Sequence, residues 1–472
     1  MSEFGEWLRS APFLPGRSGE VTAVQRSGPA AAPGPEAVGL VLSGGGARSS
    51  FQVGALAYLY DRVGITPSVI TGTSAGAILG SVLAQYPDHA GQRAALAELE
   101  RIWLGMTSSA DMFTEYPWFA RLRANMPTWR KVLALRQRPG REDPDHHSAT
   151  WSPSTAWEAL GTLWEAGRSS ADLQTIVRGP SQERAAFMPG PIVDRLLEPH
   201  VFDRQRLADS SVRLRIAVVG LESGELRYVT NTGEVRDRLD RPLTELAEVD
   251  VAEAIRASCA IPGVFPPVQL GSESYVDGGV RENLPVQVAI DHLDVGRCYA
   301  VVASPAGVTP RTSFANADMF EIIMRSASGI MSDELQRDEI AFAREHNVVV
   351  IAPTVDVHDL VTIDPGLVAI AVDYGWLRAQ DVVTGASPER QRLTDELVRA
   401  RRRAWQLEEV AFTDGTASEV EIAAVKAEVR DLLAQVPAGD LPDTAQSWWQ
   451  GWEGHTFEIA EEPTAASGPA TL

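Results

Sequence analysis

The strongest constraint on the fold is a plan the chain follows twice in succession: a short β-branched apolar run, a glycine turn, and a helical stretch. "VGLVLSGGGARSSFQVGALAYLYDRVGI" places apolar residues Val53, Leu56, Ala57 and Tyr60 at helical spacing after the turn, and "PSVITGTSAGAILGSVLAQY" repeats the order. Each unit must bury both faces of its strand, so the pair implies parallel strands with crossover helices. The glycine turns then lie at the carboxyl ends of adjacent strands, where ligand chemistry in open α/β sheets is found.

Further strand signals come in "LRIAVVGLESGELRYVT", with a hairpin expected at Ser223-Gly224, and in "CYAVVAS" and "NVVVIAP". Between the two groups, residues 103–190 hold six of the 12 tryptophans (Trp103, Trp118, Trp129, Trp151, Trp157, Trp164) and no clear strand, which reads as an inserted cap. After Asp373 the strands stop. "SPERQRLTDELVRARRRAWQLEEVAF" and "SEVEIAAVKAEVRDLLAQV" have helical periodicity around Asp414-Gly415, predicting a helical hairpin. The expected organisation is a leader over 1–37, an α/β domain over 38–375 with the insertion at about 103–190, a hairpin extension over 376–440, and an irregular tail over 441–472.

Charge narrows the function classes. A formal net charge of -21 argues against nucleic-acid binding and against general attraction to anionic lipid. One local exception lies at 116–141, "YPWFARLRANMPTWRKVLALRQRPGR", which combines seven basic residues with aromatic and aliphatic ones and has no acidic residue. This stretch is expected either to lie at a membrane interface or to cover the protein's own core. Two cysteines, Cys259 and Cys298, form neither a disulfide framework nor a zinc pattern. With no signal-peptide h-region and no long apolar run, a cytoplasmic protein, peripheral at most, is the expectation.

The two glycine turns carry the chemistry. In "GTSAG", Gly72 and Gly76 flank Ser74 and permit a sharp bend that exposes its hydroxyl, although a serine before a helix is also an ordinary N-cap. In "SGGGARSS", Gly44, Gly45 and Gly46 leave successive N–H groups open at a helix start, suiting an anion, an oxyanion or a bare tight turn. A Walker A loop is excluded by the absence of lysine, and a dinucleotide fingerprint by Ser49 where a third glycine is needed. A serine nucleophile needs a base. None of the eight histidines has a local context that singles it out. In "ESYVDGGVREN", Asp277 ends a short strand before Gly278 and Gly279, and the same dipeptide also suits a hairpin turn. Upstream, "AIRASCAIPGVFPPV" reads as a helix ended at Pro262-Gly263.

Taken together and in this order, SGGGAR, GTSAG, ASxAIPGxFPPV and YVDGG resemble the patatin-like phospholipase family, and the resemblance spans roughly residues 38–375 with the late "AVDYGWLRAQ" stretch. It implies a three-layer α/β/α fold with a mostly parallel central sheet. It also implies hydrolysis of lipid acyl esters, with phospholipid or another acyl-ester lipid as substrate, through an acyl-enzyme and without metal or cofactor. By matching motif positions, Ser74 is the nucleophile, Asp277 the proton acceptor, and Gly44, Gly45, Gly46 and Arg48 the oxyanion loop. Acyl transfer by the same dyad, or a scaffold role with a protein partner on the C-terminal helices, are the alternatives. The sequence departs from the family at Ser49, where many members carry glycine, and at Gln52, where some carry histidine. Altered packing of the opening helix turn is expected there, with the oxyanion site kept.

Overall fold

The computed structural model describes residues 37–117, 185–308, 325–358, 363–414 and 419–442, with a few residues between and beyond them (120, 310, 313–315, 317, 322–323, 360, 444–445). The leader before residue 37, nearly all of the basic and aromatic stretch at 116–141, the tryptophans from Trp118 to Trp164 and most of the tail lie outside the described residues.

The first unit is β1 (Val38–Leu42), a glycine turn and α1 (Ser49–Tyr58); the second is β2 (Val69–Thr73), a turn at Ser74, and α2 (Ala75–Leu83). Next come α3 (His89–Leu104), then the short strands β3 (Phe113–Glu115) and β4 (Phe187–Pro189). Those two pair antiparallel, so the chain leaves for the insertion and returns from it side by side. Trp103 belongs to the main core: it is buried at the end of α3 and its indole N–H donates to Ser49 Oγ at 3.2 Å.

The sheet is completed by β5 (Arg213–Gly220), β6 (Leu226–Val229), β7 (Val235–Arg236), β8 (Val268–Leu270), β9 (Glu273–Asp277), β10 (Arg297–Val301) and β11 (Val349–Ile351). Helix α4 (Val251–Ser258) precedes β8, α5 (Val286–Asp291) follows β9, and α6 (Ser332–Glu345) precedes β11. The strand order is β11-β10-β1-β2-β5-β6-β7, parallel from β11 to β5 and antiparallel beyond it. The expected hairpin at Ser223-Gly224 joins β5 to β6, with Gly224 at φ 68.

Alternation along the strands divides the core into two layers. Leu40, Leu42, Ile70, Tyr299 and Val301 face α1, α2, α3 and α7 (Pro365–Val383). Val41, Cys298 and Ala300 face α5 and α6 on the other side. With both faces covered, the result is a three-layer α/β/α sandwich. Helices α1 and α7 cross backbone to backbone, because a Cβ on Gly54 would fall 1.7 Å from the Val372 carbonyl and one on Gly375 2.0 Å from that of Phe51. Helices α8 (Pro388–Asp414) and α9 (Glu419–Leu433) form the C-terminal hairpin, whose Leu397, Ala400, Ala404, Val429 and Leu432 cluster with Leu377 of α7. Helix α7 therefore runs through residue 375 and serves both the main core and the hairpin.

Candidate active site

Backbone register brings the site together. Strand β2 pairs with the first half of β5, ending at Thr73↔Ala217, and β9 takes the same side of β5 from the next residue on, at Val218↔Asp277. The chain therefore leaves the sheet at Ser74 close to where β9, running the opposite way, ends at Asp277. On the other side of β2, Leu42 of β1 pairs with Gly72, so the SGGGAR turn emerges beside the elbow. The three motifs meet at one sheet edge because the strands that end there are neighbours.

Ser74 has φ 55 and ψ -126, a conformation costly for any residue with a Cβ. No side-chain cap bond forms at this helix start, so the hydroxyl is not spent as an N-cap. The flanking glycines are required sterically: a Cβ on Gly72 would lie 2.5 Å from the Gly76 carbonyl oxygen, and one on Gly76 2.4 Å from that of Leu42. Asp277 is buried and lines the same cavity as Ser74. Its Oδ1 accepts the Gly279 N–H at 2.8 Å. Burial pushes the Asp277 carboxyl up to about 7, against the smaller stabilisation its hydrogen bonds give the charged form. The Asp277-Gly278-Gly279 segment opens a 3-10 turn, not a hairpin, and Gly278 packs where a Cβ would sit 2.5 Å from the Ala217 carbonyl oxygen.

The glycine loop divides its donors. The Gly44 N–H donates to the Asn283 carbonyl at 3.0 Å, and the hydrogen bonds among the described residues include no acceptor for the N–H of Gly45 or Gly46. Gly44 is needed for close approach, since a Cβ there would lie 2.5 Å from Asn283 Oδ1 and 3.2 Å from Ser74 Cβ. Gly46 has φ +52, and its place against the Leu360 carbonyl leaves no room for a side chain. Arg48 lines the same cavity, and its guanidinium holds Asp356 through two bonds of 2.9 and 2.6 Å and the His358 carbonyl at 3.1 Å. Ser49 and Gln52, the positions of departure, brace the loop. Ser49 Oγ donates to the Gly46 carbonyl at 2.7 Å, and the Gln52 amide donates to the carbonyls of Ser43 and Val301 at 3.0 and 2.9 Å.

Sequence reasoning did not single out Asn283 and Glu339. The Glu339 carboxylate on α6 accepts the N–H groups of Asn283 (2.8 Å) and Leu284 (2.9 Å), and Asn283 Nδ2 donates to Gln336 Oε1 at 3.1 Å. Helix α6 thus fixes the peptide that receives Gly44. Burial pushes Glu339 well above the usual carboxylate range, and Glu282, hydrogen-bonded by Tyr228, is likewise pushed up by burial to about 7. An asparagine in a turn after DGG carries no sequence signal for a partner 56 residues away.

Ser74, Asp277 and the glycine loop line one cavity of about 990 Å³. Its further walls are more apolar than polar, with Ile261, Val308, Leu335 and Leu360 beside charged residues such as Asp333 and Arg402. A strained serine paired with a buried carboxylate and facing unspent backbone donors at an apolar cavity is suited to acyl chemistry.

Solved structures that match this chain do so only distantly. VipD from Legionella pneumophila is 17% identical over 86% of this chain and 82% of that one, with a TM-score of 0.33. The type III effector ExoU is 16% identical over 90% and 76%, with a TM-score of 0.27; a related structure gives its source as Pseudomonas aeruginosa. Human GIVD cytosolic phospholipase A2 is 14% identical, with a TM-score of 0.27 over 66% of this chain and 43% of that one. The patatin-like phospholipase family matches residues 40–290, from the first strand through the glycine turns and Asp277 to α5. With that match covering more than half of the sequence and all three turns of the site, the chain belongs to the patatin-like phospholipase family.

Proposed function

We propose that the protein is a lipid acyl hydrolase acting on phospholipid or a related acyl ester through a Ser74–Asp277 dyad. The observation that carries this reading is the placement of Ser74, at the end of β2, beside buried Asp277, at the end of β9, both lining one cavity with the glycine loop. Ionised Asp277 accepts the Ser74 proton as Oγ attacks the ester carbonyl. A carboxyl held near 7 is a better base than one at its usual value, and still ionises at neutral pH. The N–H groups of Gly45 and Gly46 are the donors to the oxyanion, while Gly44 supplies room and Arg48 secures the loop through Asp356. The proton on Asp277 passes to the departing alcohol. Water, deprotonated by Asp277 in turn, then releases the fatty acid from Ser74.

The test is hydrolysis of a short-chain chromogenic ester and of mixed phospholipid vesicles by wild type, Ser74→Ala and Asp277→Asn. Loss of both activities in both variants is expected. Full activity in folded Ser74→Ala would refute the dyad, and transfer of the acyl group to an added alcohol in preference to water would redirect the reading to acyl transfer.

A further inference from the structure

Two residues at the end of helix α4 and just beyond it, Ser258 and Ala260, hold the backbones of Ser74 and Asp277. Helix α4 ends at Ser258, short of the Pro262-Gly263 turn expected to end it, and the chain then turns across the back of the site. The Ser258 hydroxyl is fully buried; it accepts the Ser74 N–H at 2.9 Å and donates to the Ala217 carbonyl at 2.7 Å. The Ala260 carbonyl accepts the Asp277 N–H at 3.0 Å. Ala217 is also the residue against which Gly278 packs, one position before the Val218↔Asp277 pair.

This placement answers a physical need. A serine at φ 55 is strained and persists only where its surroundings over-determine it. Its N–H is the first orphan donor of α2, and burial makes an orphan donor costly. We propose that Ser258 is a positioning residue for the dyad: by bridging the Ser74 N–H to Ala217, its hydroxyl fixes the strained elbow at the distance from Asp277 that proton transfer requires. The proposal rests on the Ser–Asp reading of the reaction. Without the bridge, the elbow relaxes and Ser74 Oγ draws away from the carboxylate.

The test compares wild type, Ser258→Ala and Ser258→Cys for kcat, KM and pH profile on a short-chain soluble ester, alongside thermal melting. Cysteine keeps nearly the volume of serine but accepts a hydrogen bond poorly. Both variants are expected to lose about tenfold or more in kcat with KM nearly unchanged, as for a group that orients a reacting atom. The acid limb should also move to higher pH, since the Ser74 hydroxyl beside it is one of the influences that lower the Asp277 pKa. Wild-type kcat and an unmoved limb in either variant would overturn the proposal, as would a fall in melting temperature with no change in kcat. Should Ser258→Ala not fold, Ser258→Cys alone decides. Absence of hydrolysis in the wild type refutes the hydrolase reading instead; in that case the rate at which a fluorophosphonate labels Ser74 in the three proteins reads the elbow directly, and equal rates overturn the positioning role.

Discussion

Replacing Asp277 by asparagine should abolish hydrolysis and stabilise the protein, and the stabilisation should depend on pH with a defined sign. Asparagine fills the same space, and its Oδ1 can still accept the Gly279 N–H that Asp277 accepts at 2.8 Å. In the folded protein the Asp277 carboxyl ionises at about 7, against 3.8 for an unperturbed aspartate. Between those values the folded state holds a proton that the unfolded chain has released, so stability falls as pH rises through the window and levels off above it. A shift of that size corresponds to about 4 kcal/mol at one pKa unit per 1.36 kcal/mol, and relaxation with water entry brings the expected gain to about 2 kcal/mol or more. The assay is urea denaturation of wild type and Asp277→Asn at pH 5, 6, 7 and 8. Glu282 and Glu339 are raised by burial as well, and they titrate in both proteins, so the difference isolates Asp277. The stability difference should grow from about two fifths of its full value at pH 5 to nearly all of it at pH 8. A difference that is flat across the series, or largest at pH 5, would refute the buried, raised carboxyl.

Other expectations follow from the same geometry. Ester hydrolysis by the wild type should rise with pH and level off above about 7, falling about tenfold per unit below it, because the base must be ionised; a plateau extending to pH 5 would contradict that. Gly45→Ala places a Cβ 2.3 Å from that of Ala303, so the loop must shift. Displacing its donor should cost about a hundredfold or more in kcat on a short-chain ester, with the protein still folded by circular dichroism. Arg401 and Asp373 form a buried pair at 2.8 Å that ties α8 to α7. Arg401→Met strands the aspartate and should lower stability by about 3 to 5 kcal/mol in denaturant titration, while the double change to Met and Leu should recover most of it.

What the sequence disclosed and what it withheld divide along a physical line. The elbow, the glycine loop and the DGG turn drew notice by their glycines, each with a plain turn or cap as a rival reading that only the resemblance decided; the structure shows what the glycines are for, φ +52 at Gly46 and close backbone approach at Gly72, Gly76 and Gly278. The helical hairpin was readable from its periodicity. The partnership of Ser74 with Asp277 was implied by resemblance alone, because it depends on β9 taking over from β2 along β5, and strand register beyond a hairpin leaves no local trace. The end of α4 at Ser258 was missed for the same reason. The donors to the carbonyls of the turn beyond it, the N–H groups of Asp277 on Ala260, Ala186 on Gly263 and Phe187 on Val264, come from distant chain segments. The sharing of the glycine donors was equally hidden, since nothing near Gly44 announces that its N–H is spent on Asn283, whose peptide Glu339 secures in turn.

The most direct test of the central claim is covalent. The protein is incubated with a long-chain alkyl fluorophosphonate, digested, and the adduct located by peptide mass spectrometry in wild type, Ser74→Ala and Asp277→Asn. The dyad predicts a single stoichiometric adduct on Ser74, absent in Ser74→Ala and formed far more slowly in Asp277→Asn. An adduct on another residue, or labelling of Ser74 at an unchanged rate without the Asp277 carboxylate, would contradict it.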